Sequence, residues 1–226
     1  MYACKYCGKE YKKESTLAAH LCEPKRRHQQ QTETGVQLGF KAYIRFYELT
    51  QGSAKLKTYE DFSSSPYYMA FVKFGRYLVA IRCINTSSFI DWLLKNNKKI
   101  DYWTKDAFYL EWMREYIKKE NVKDALERAL KEMQNLSDDD TKLDGEFNNY
   151  FRLASANRIC QHIANGRISP WIVFNCASGV EFLEQLNAEQ LNTIIEWIDP
   201  DYWQRKFKDY MADTEWTKHV LEQAGL

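Results

Sequence analysis

The first twenty-two residues, MYACKYCGKEYKKESTLAAHLC, constrain this chain more than any other stretch, because Cys4, Cys7, His20 and Cys22 fall at the spacing of a small metal-held module. A Cys-x2-Cys pair on a tight turn supplies two thiolates, and a histidine on a short helix supplies a third ligand from the facing side. Tyr11 and Leu17 lie between them and form a minimal apolar core. A unit of about 25 residues buries too little surface to fold alone, so the ion is what folds it. Thiolate and imidazole together are a donor set for zinc, and Zn2+ is the expected cofactor.

The fourth ligand depends on where the helix ends. In an uninterrupted α-helix residues i and i+2 point about 200° apart, so His20 and Cys22 reach one ion only if the helix stops near His20. Pro24 favours such a stop, since it disfavours the α conformation at Glu23. The expected ligand set is Cys4, Cys7, His20 and Cys22, with His28 as the alternative to Cys22.

The run Tyr2-x-Cys4-x2-Cys7-x3-Tyr11-x5-Leu17-x2-His20 resembles a C2H2-type zinc finger, a small ββα unit. It departs from that family just after His20, where a second histidine is expected and Glu23, Pro24 and Lys25 stand instead. The resemblance implies a helix that enters the major groove with Lys13, Thr16 and Ala19 at its base-facing positions. Lys13 suits a guanine edge and Thr16 a variable contact, whereas Ala19 offers only a methyl group. The implied sequence reading is therefore poor.

Backbone binding has broader support. A formal net charge of +1 conceals an asymmetry: residues 1–100 carry 17 Lys and Arg against 8 Asp and Glu, a balance of +9, and the remaining 126 residues a balance of −8. Lys9, Lys12, Lys13, Lys25, Arg26 and Arg27 lie in or beside the finger. Such cations contact phosphates with salt-dependent affinity and little sequence specificity, so the expected partner is nucleic acid, DNA above all.

Beyond the finger the chain reads as helical. Domain boundaries are expected at 1–28 for the finger, 29–35 for a polar basic linker and 36–226 for an all-α domain, giving a mainly α protein. Val36, Phe40, Tyr43 and Tyr47 form the first apolar stripe, and Ser65-Pro66 reads as the start of a central helix. Asn85 or Thr86, Thr104 and Asn121 are read as later helix starts, and the stretch 145–166 as one helix closed by Gly166. Ser169-Pro170, Asn187 with Gln190, and Asp199-Pro200 mark further starts, and Thr214–Leu226 a last short helix. The acidic turn 137–145 lacks the ligand spacing of a calcium loop. With 15% aromatic residues, the core is expected to rest on Trp, Tyr and Phe. Cys83, Cys160 and Cys176 stand singly in apolar surroundings and read as buried hydrophobes. No apolar run approaches about 18 residues, so no membrane span is expected. The chain opens directly on the finger, and an intracellular protein is expected.

No catalytic constellation emerges, and the protein is expected not to be an enzyme. GRISP and ASGVE lack the glycine spacing and lysine of a phosphate loop, and Cys160 and His162 fall on different faces of a helix. The expected function is a zinc-finger DNA-binding or adaptor protein. The alternative is a protein-docking factor whose finger never touches DNA, with Trp171, Trp197, Tyr202 and Trp203 as candidate interface aromatics on the acidic half. The whole chain, with ISPWIVFNCASG and IDPDYWQRKF, also resembles proteins encoded by large tailed bacteriophages. That resemblance carries no activity, and it implies a role in phage DNA metabolism or transcription in the host cytoplasm.

Overall fold

The computed structural model describes residues 1–52, 56–139 and 146–226, without the side chain of Asp139. Ser53, Lys55 and most of the acidic turn lie outside the described residues. The fold is mainly α, with a two-stranded sheet at the N-terminus. The chain forms two compact units, Met1–Leu110 and Glu111–Leu226. From the sequence, the first carries 18 Lys and Arg against 10 Asp and Glu and the second 14 against 21, so the charge asymmetry follows the units at +8 and −7.

The first unit opens with β1 (Tyr2–Ala3) and β2 (Glu10–Tyr11), antiparallel, with Tyr2 opposite Tyr11. They lead into α1 (Glu14–Ala19), the ββα order that the resemblance to a zinc finger implies. A second helix, α2 (Glu23–Gln29), follows at once, across the boundary expected between finger and linker. Its physical basis is local. Pro24 sits in the first turn, where its missing N–H costs nothing, and Glu23 pairs with Arg26 and Arg27 one turn on. Then come α3 (Thr34–Gln51), stopped by Gly52 in the left-handed region at φ +56°, and α4 (Tyr59–Ser64), opened by a Thr58–Asp61 capping box. α5 (Tyr68–Ala80) begins three residues beyond Ser65, whose hydroxyl accepts from Tyr67 N–H instead. α6 (Thr86–Lys95) is capped by Asn85, one of the two residues expected there, and α7 (Asp106–Lys119) begins in the first unit and ends in the second.

α3 and α5 touch backbone to backbone through Gly35, Gly39 and Gly75. Around this contact Tyr43, Phe62, Tyr68, Phe71, Phe74, Phe89 and Trp103 are buried, many of them edge to face. Rings in such pairs add about 0.5–1.5 kcal/mol to the burial of their area.

The second unit contains α8 (Val122–Asp139), α9 (Tyr150–Leu153), α10 (Ala156–Ala164), α11 (Pro170–Val173), α12 (Ala177–Glu184), α13 (Ala188–Ile194), α14 (Pro200–Asp209) and α15 (Met211–Gln223). The single helix expected over 145–166 is broken at Ala154, which is extended, and restarts where the Ser155 hydroxyl accepts from Arg158 N–H. Caps at Ser169, Asn187 with Gln190, and Asp199 form as expected. Trp171, Trp203 and Phe207 cluster in the core. Arg128 forms two hydrogen bonds to the fully buried carboxylate of Glu120. Among the described residues, no helix is long and apolar enough to cross a membrane.

Candidate metal centre

The hairpin places the first two thiols. Cys4 N–H donates to Lys9 O at 2.9 Å and Gly8 N–H to Cys4 O at 2.8 Å, closing a knuckle that requires Gly8 at φ +73°. Cys4 is 4% exposed, while Cys7 is at the surface. The Tyr6 amide draws the Cys4 thiol below its ordinary value, as a thiolate ligand requires. Cys7 is held above its own: the Lys9 amide lowers it, but desolvation and the neighbouring thiols outweigh that effect.

The other two ligands come from a break between helices. α1 ends at Ala19, and His20 turns extended at φ −69°, ψ 122°. Cys22 is extended as well, at φ −90°, ψ 163°, and serves as the N-cap of α2. The break removes the opposed directions that a continuous helix would impose. As a result one donor atom from each of Cys4, Cys7, His20 and Cys22 lies within 4.8 Å of the other three.

Two of the separations suit a tetrahedral zinc ion. Zinc–sulfur bonds of about 2.3 Å and zinc–nitrogen bonds of about 2.0–2.1 Å put tetrahedral S···S at ~3.8 Å and S···N at ~3.5 Å. Cys4 Sγ and Cys22 Sγ are 3.9 Å apart, and Cys7 Sγ and His20 Nε2 are 3.3 Å apart. His20 Nδ1 lies 2.7 Å from the Tyr11 hydroxyl on the side away from that pair. His28, the alternative ligand, is not in the group, and its ring packs against Tyr6 at 5.1 Å.

The six cations and hydroxyls expected to face nucleic acid have unlike surroundings. Lys12, Lys13 and Thr16 are exposed, with Lys13 at the N-cap of α1, and neither lysine has a carboxylate partner among the described residues. Lys5 and Lys9 are also exposed and without such a partner among those residues, each ammonium lying near a tyrosine ring of the module. Arg26 is exposed and pairs with Glu23. Lys25 donates to His20 O at 2.9 Å and Ala18 O at 3.4 Å, satisfying carbonyls at the end of α1. Arg27 turns inward: Nη1 donates to Ser63 O at 2.5 Å, the guanidinium lies 4.4 Å from the Tyr68 ring centroid, and the Tyr59 hydroxyl donates to Arg27 O at 2.7 Å. Lys25 and Arg27 thus join the module to itself and to α4 and α5. Sequence reading misses both roles, because their partners are carbonyls and rings rather than a motif.

The remaining candidates are interior. Trp171, Trp197 and Trp203 are buried, and Tyr202 is half-buried with its hydroxyl donating to Lys118 O. Cys160 and Cys176 are buried and Cys83 half-buried; burial raises all three thiols, Cys83 to about 12. No family model, curated protein or solved structure matches the chain.

Proposed function

We propose that Cys4, Cys7, His20 and Cys22 hold one structural zinc ion and that the first unit is a non-catalytic nucleic-acid-binding element gripping phosphates through lysines of the zinc module. The observation that carries this reading is the closed set of three thiols and one imidazole within 4.8 Å. Four protein ligands leave no position for a substrate or an activated water, which argues for a structural ion over a catalytic one. Lys5, Lys9, Lys12 and Lys13 supply exposed charge on the same module, within a unit of net charge +8. A reducing, intracellular setting suits three thiolates held apart from disulfides. The resemblance to tailed-bacteriophage proteins would place the activity in phage DNA metabolism or transcription.

The second reading is a protein-docking factor with a purely structural zinc. What favours it is the commitment of Lys25 and Arg27 to internal contacts, which leaves a small basic face on a module with a six-residue helix. The two readings separate in a binding titration of the zinc-loaded chain on single- and double-stranded DNA at several salt concentrations. Phosphate binding predicts affinity falling linearly in log–log form, by about 0.9 per phosphate contacted on duplex DNA. Changing Lys5, Lys9, Lys12 and Lys13 together to Gln should flatten that slope. Absence of binding to any DNA at low salt would leave the docking reading in its place.

A further inference from the structure

The zinc reading leaves unexplained how His20, standing outside any helix, is held to offer one particular nitrogen. Its backbone is extended, so no regular structure fixes the ring. Nε2 faces Cys7 Sγ at 3.3 Å, whereas Nδ1 is 2.7 Å from Tyr11 Oη. The two rings lie 4.9 Å apart, and Tyr11 is itself fixed at the end of β2 opposite Tyr2.

A neutral imidazole carries one N–H and one lone pair. If Tyr11 donated to Nδ1, the ring proton would sit on Nε2 and point at the thiol, where the ion belongs. If Nδ1–H donates to Tyr11 Oη, the Nε2 lone pair is free for zinc. Ligands of this kind depend on an outer partner for tautomer and orientation, and that partner is usually a carboxylate, a carbonyl or water. Here a phenol holds the position.

We infer that Tyr11 is a positioning residue of the metal centre, its hydroxyl accepting from His20 Nδ1–H and so presenting Nε2 to the ion. This rests on the zinc reading above. Tyr11 then does two things: its ring fills the module's small core, and its oxygen sets the ligand.

The test is Tyr11→Phe in the full chain, which keeps the ring and removes only the oxygen. Zinc affinity measured against a chromophoric chelator should weaken by about 10–100-fold, the usual cost of losing an outer-sphere partner. The cobalt-loaded variant should keep both its thiolate charge-transfer absorption and the intense d–d bands of a four-coordinate ion, showing that the three thiolates remain and that a fourth ligand is still bound. Should the variant fail to fold, the wild-type chain decides: a long-range proton–nitrogen spectrum of the zinc form with labelled histidine should show His20 protonated at Nδ1 and metal-bound at Nε2. Ligation through Nδ1, or an unchanged affinity in a folded Tyr11→Phe chain, overturns the inference. A wild-type chain that takes up no zinc overturns it together with the reading beneath it.

Discussion

Arg27 offers the sharpest separation between a residue that builds the protein and one that binds its partner. Its side chain is 21% exposed and donates to Ser63 O while lying over Tyr68, so removing the guanidinium strips two interactions from the junction of α2 with α4 and α5. A hydrogen bond from a charged donor contributes about 1.5–3 kcal/mol. A partly desolvated cation over an aromatic ring contributes about 0.5–2 kcal/mol. The pair with Glu23 faces solvent and is left out of the sum. Because the two terms share one group and are not additive, Arg27→Met should cost about 2–4 kcal/mol. The readout is urea unfolding of the zinc-loaded chain, followed by amide hydrogen exchange in α2 and α4. Arg27→Lys separates charge from shape: a lysine still reaches phosphate, but it lacks the planar fork that suits a carbonyl and a ring together. The stability loss should therefore persist in Arg27→Lys, and the salt slope of DNA binding should stay the same in both variants. The reasoning is refuted if Arg27→Met leaves α2 as protected as before and lowers the slope by about 0.9, the signature of one lost phosphate contact.

Two further outcomes follow from packing. A Cβ at Gly75 would lie 1.9 Å from Gly35 O and 2.5 Å from Gly39 N, so α3 and α5 would have to part by about 1.5 Å to restore ordinary contact. Gly75→Ala should destabilise by about 1–3 kcal/mol in thermal or urea unfolding despite the better helix propensity of alanine. Gly35→Ala, whose Cβ meets a side-chain atom, Arg76 Cγ at 2.6 Å, and the Arg76 backbone only at 3.1 Å, should cost less, and the reverse order would contradict the packing described. In the second unit, Arg128→Met should cost about 3–5 kcal/mol by leaving the buried Glu120 carboxylate uncompensated. Burial already pushes the Glu120 carboxyl above its ordinary value, with the Arg128 hydrogen bonds acting against it. The penalty should therefore be full above the folded-state value and ease as acid protonates Glu120, which unfolding at two pH values would check.

What the sequence makes legible is chemistry that closes over a few residues. Ser169 before Pro170, Asn187 three residues before Gln190 and Asp199 before Pro200 each satisfy amides of their own first turn, so no distant residue can cancel them. The four metal ligands are legible for the same reason, as is the need for a break between His20 and Cys22. Ser155 shows the limit. Its cap lies within a stretch whose apolar residues suit one long helix, and periodicity does not mark a two-residue interruption. Less visible still are features that depend on remote partners. Arg27 reads as one cation among several until Ser63 and Tyr68 are placed beside it, 36 and 41 positions along the chain. The three tryptophans offered as an interface are buried in the core, with Tyr202 half-buried, and the Tyr11 hydroxyl reads as part of a hydrophobic position until His20 is seen to face it.

The central claim is that a zinc ion held by Cys4, Cys7, His20 and Cys22 folds the N-terminal module, and metal content tests it most directly. Elemental analysis of chain purified without added metal should find one zinc per molecule in the wild type and in His28→Ala, with loss on replacing Cys22 by Ser. A metal-free wild-type chain whose N-terminal amides remain protected from exchange, or a His28→Ala chain that loses its zinc while Cys22→Ser keeps it, would contradict the account.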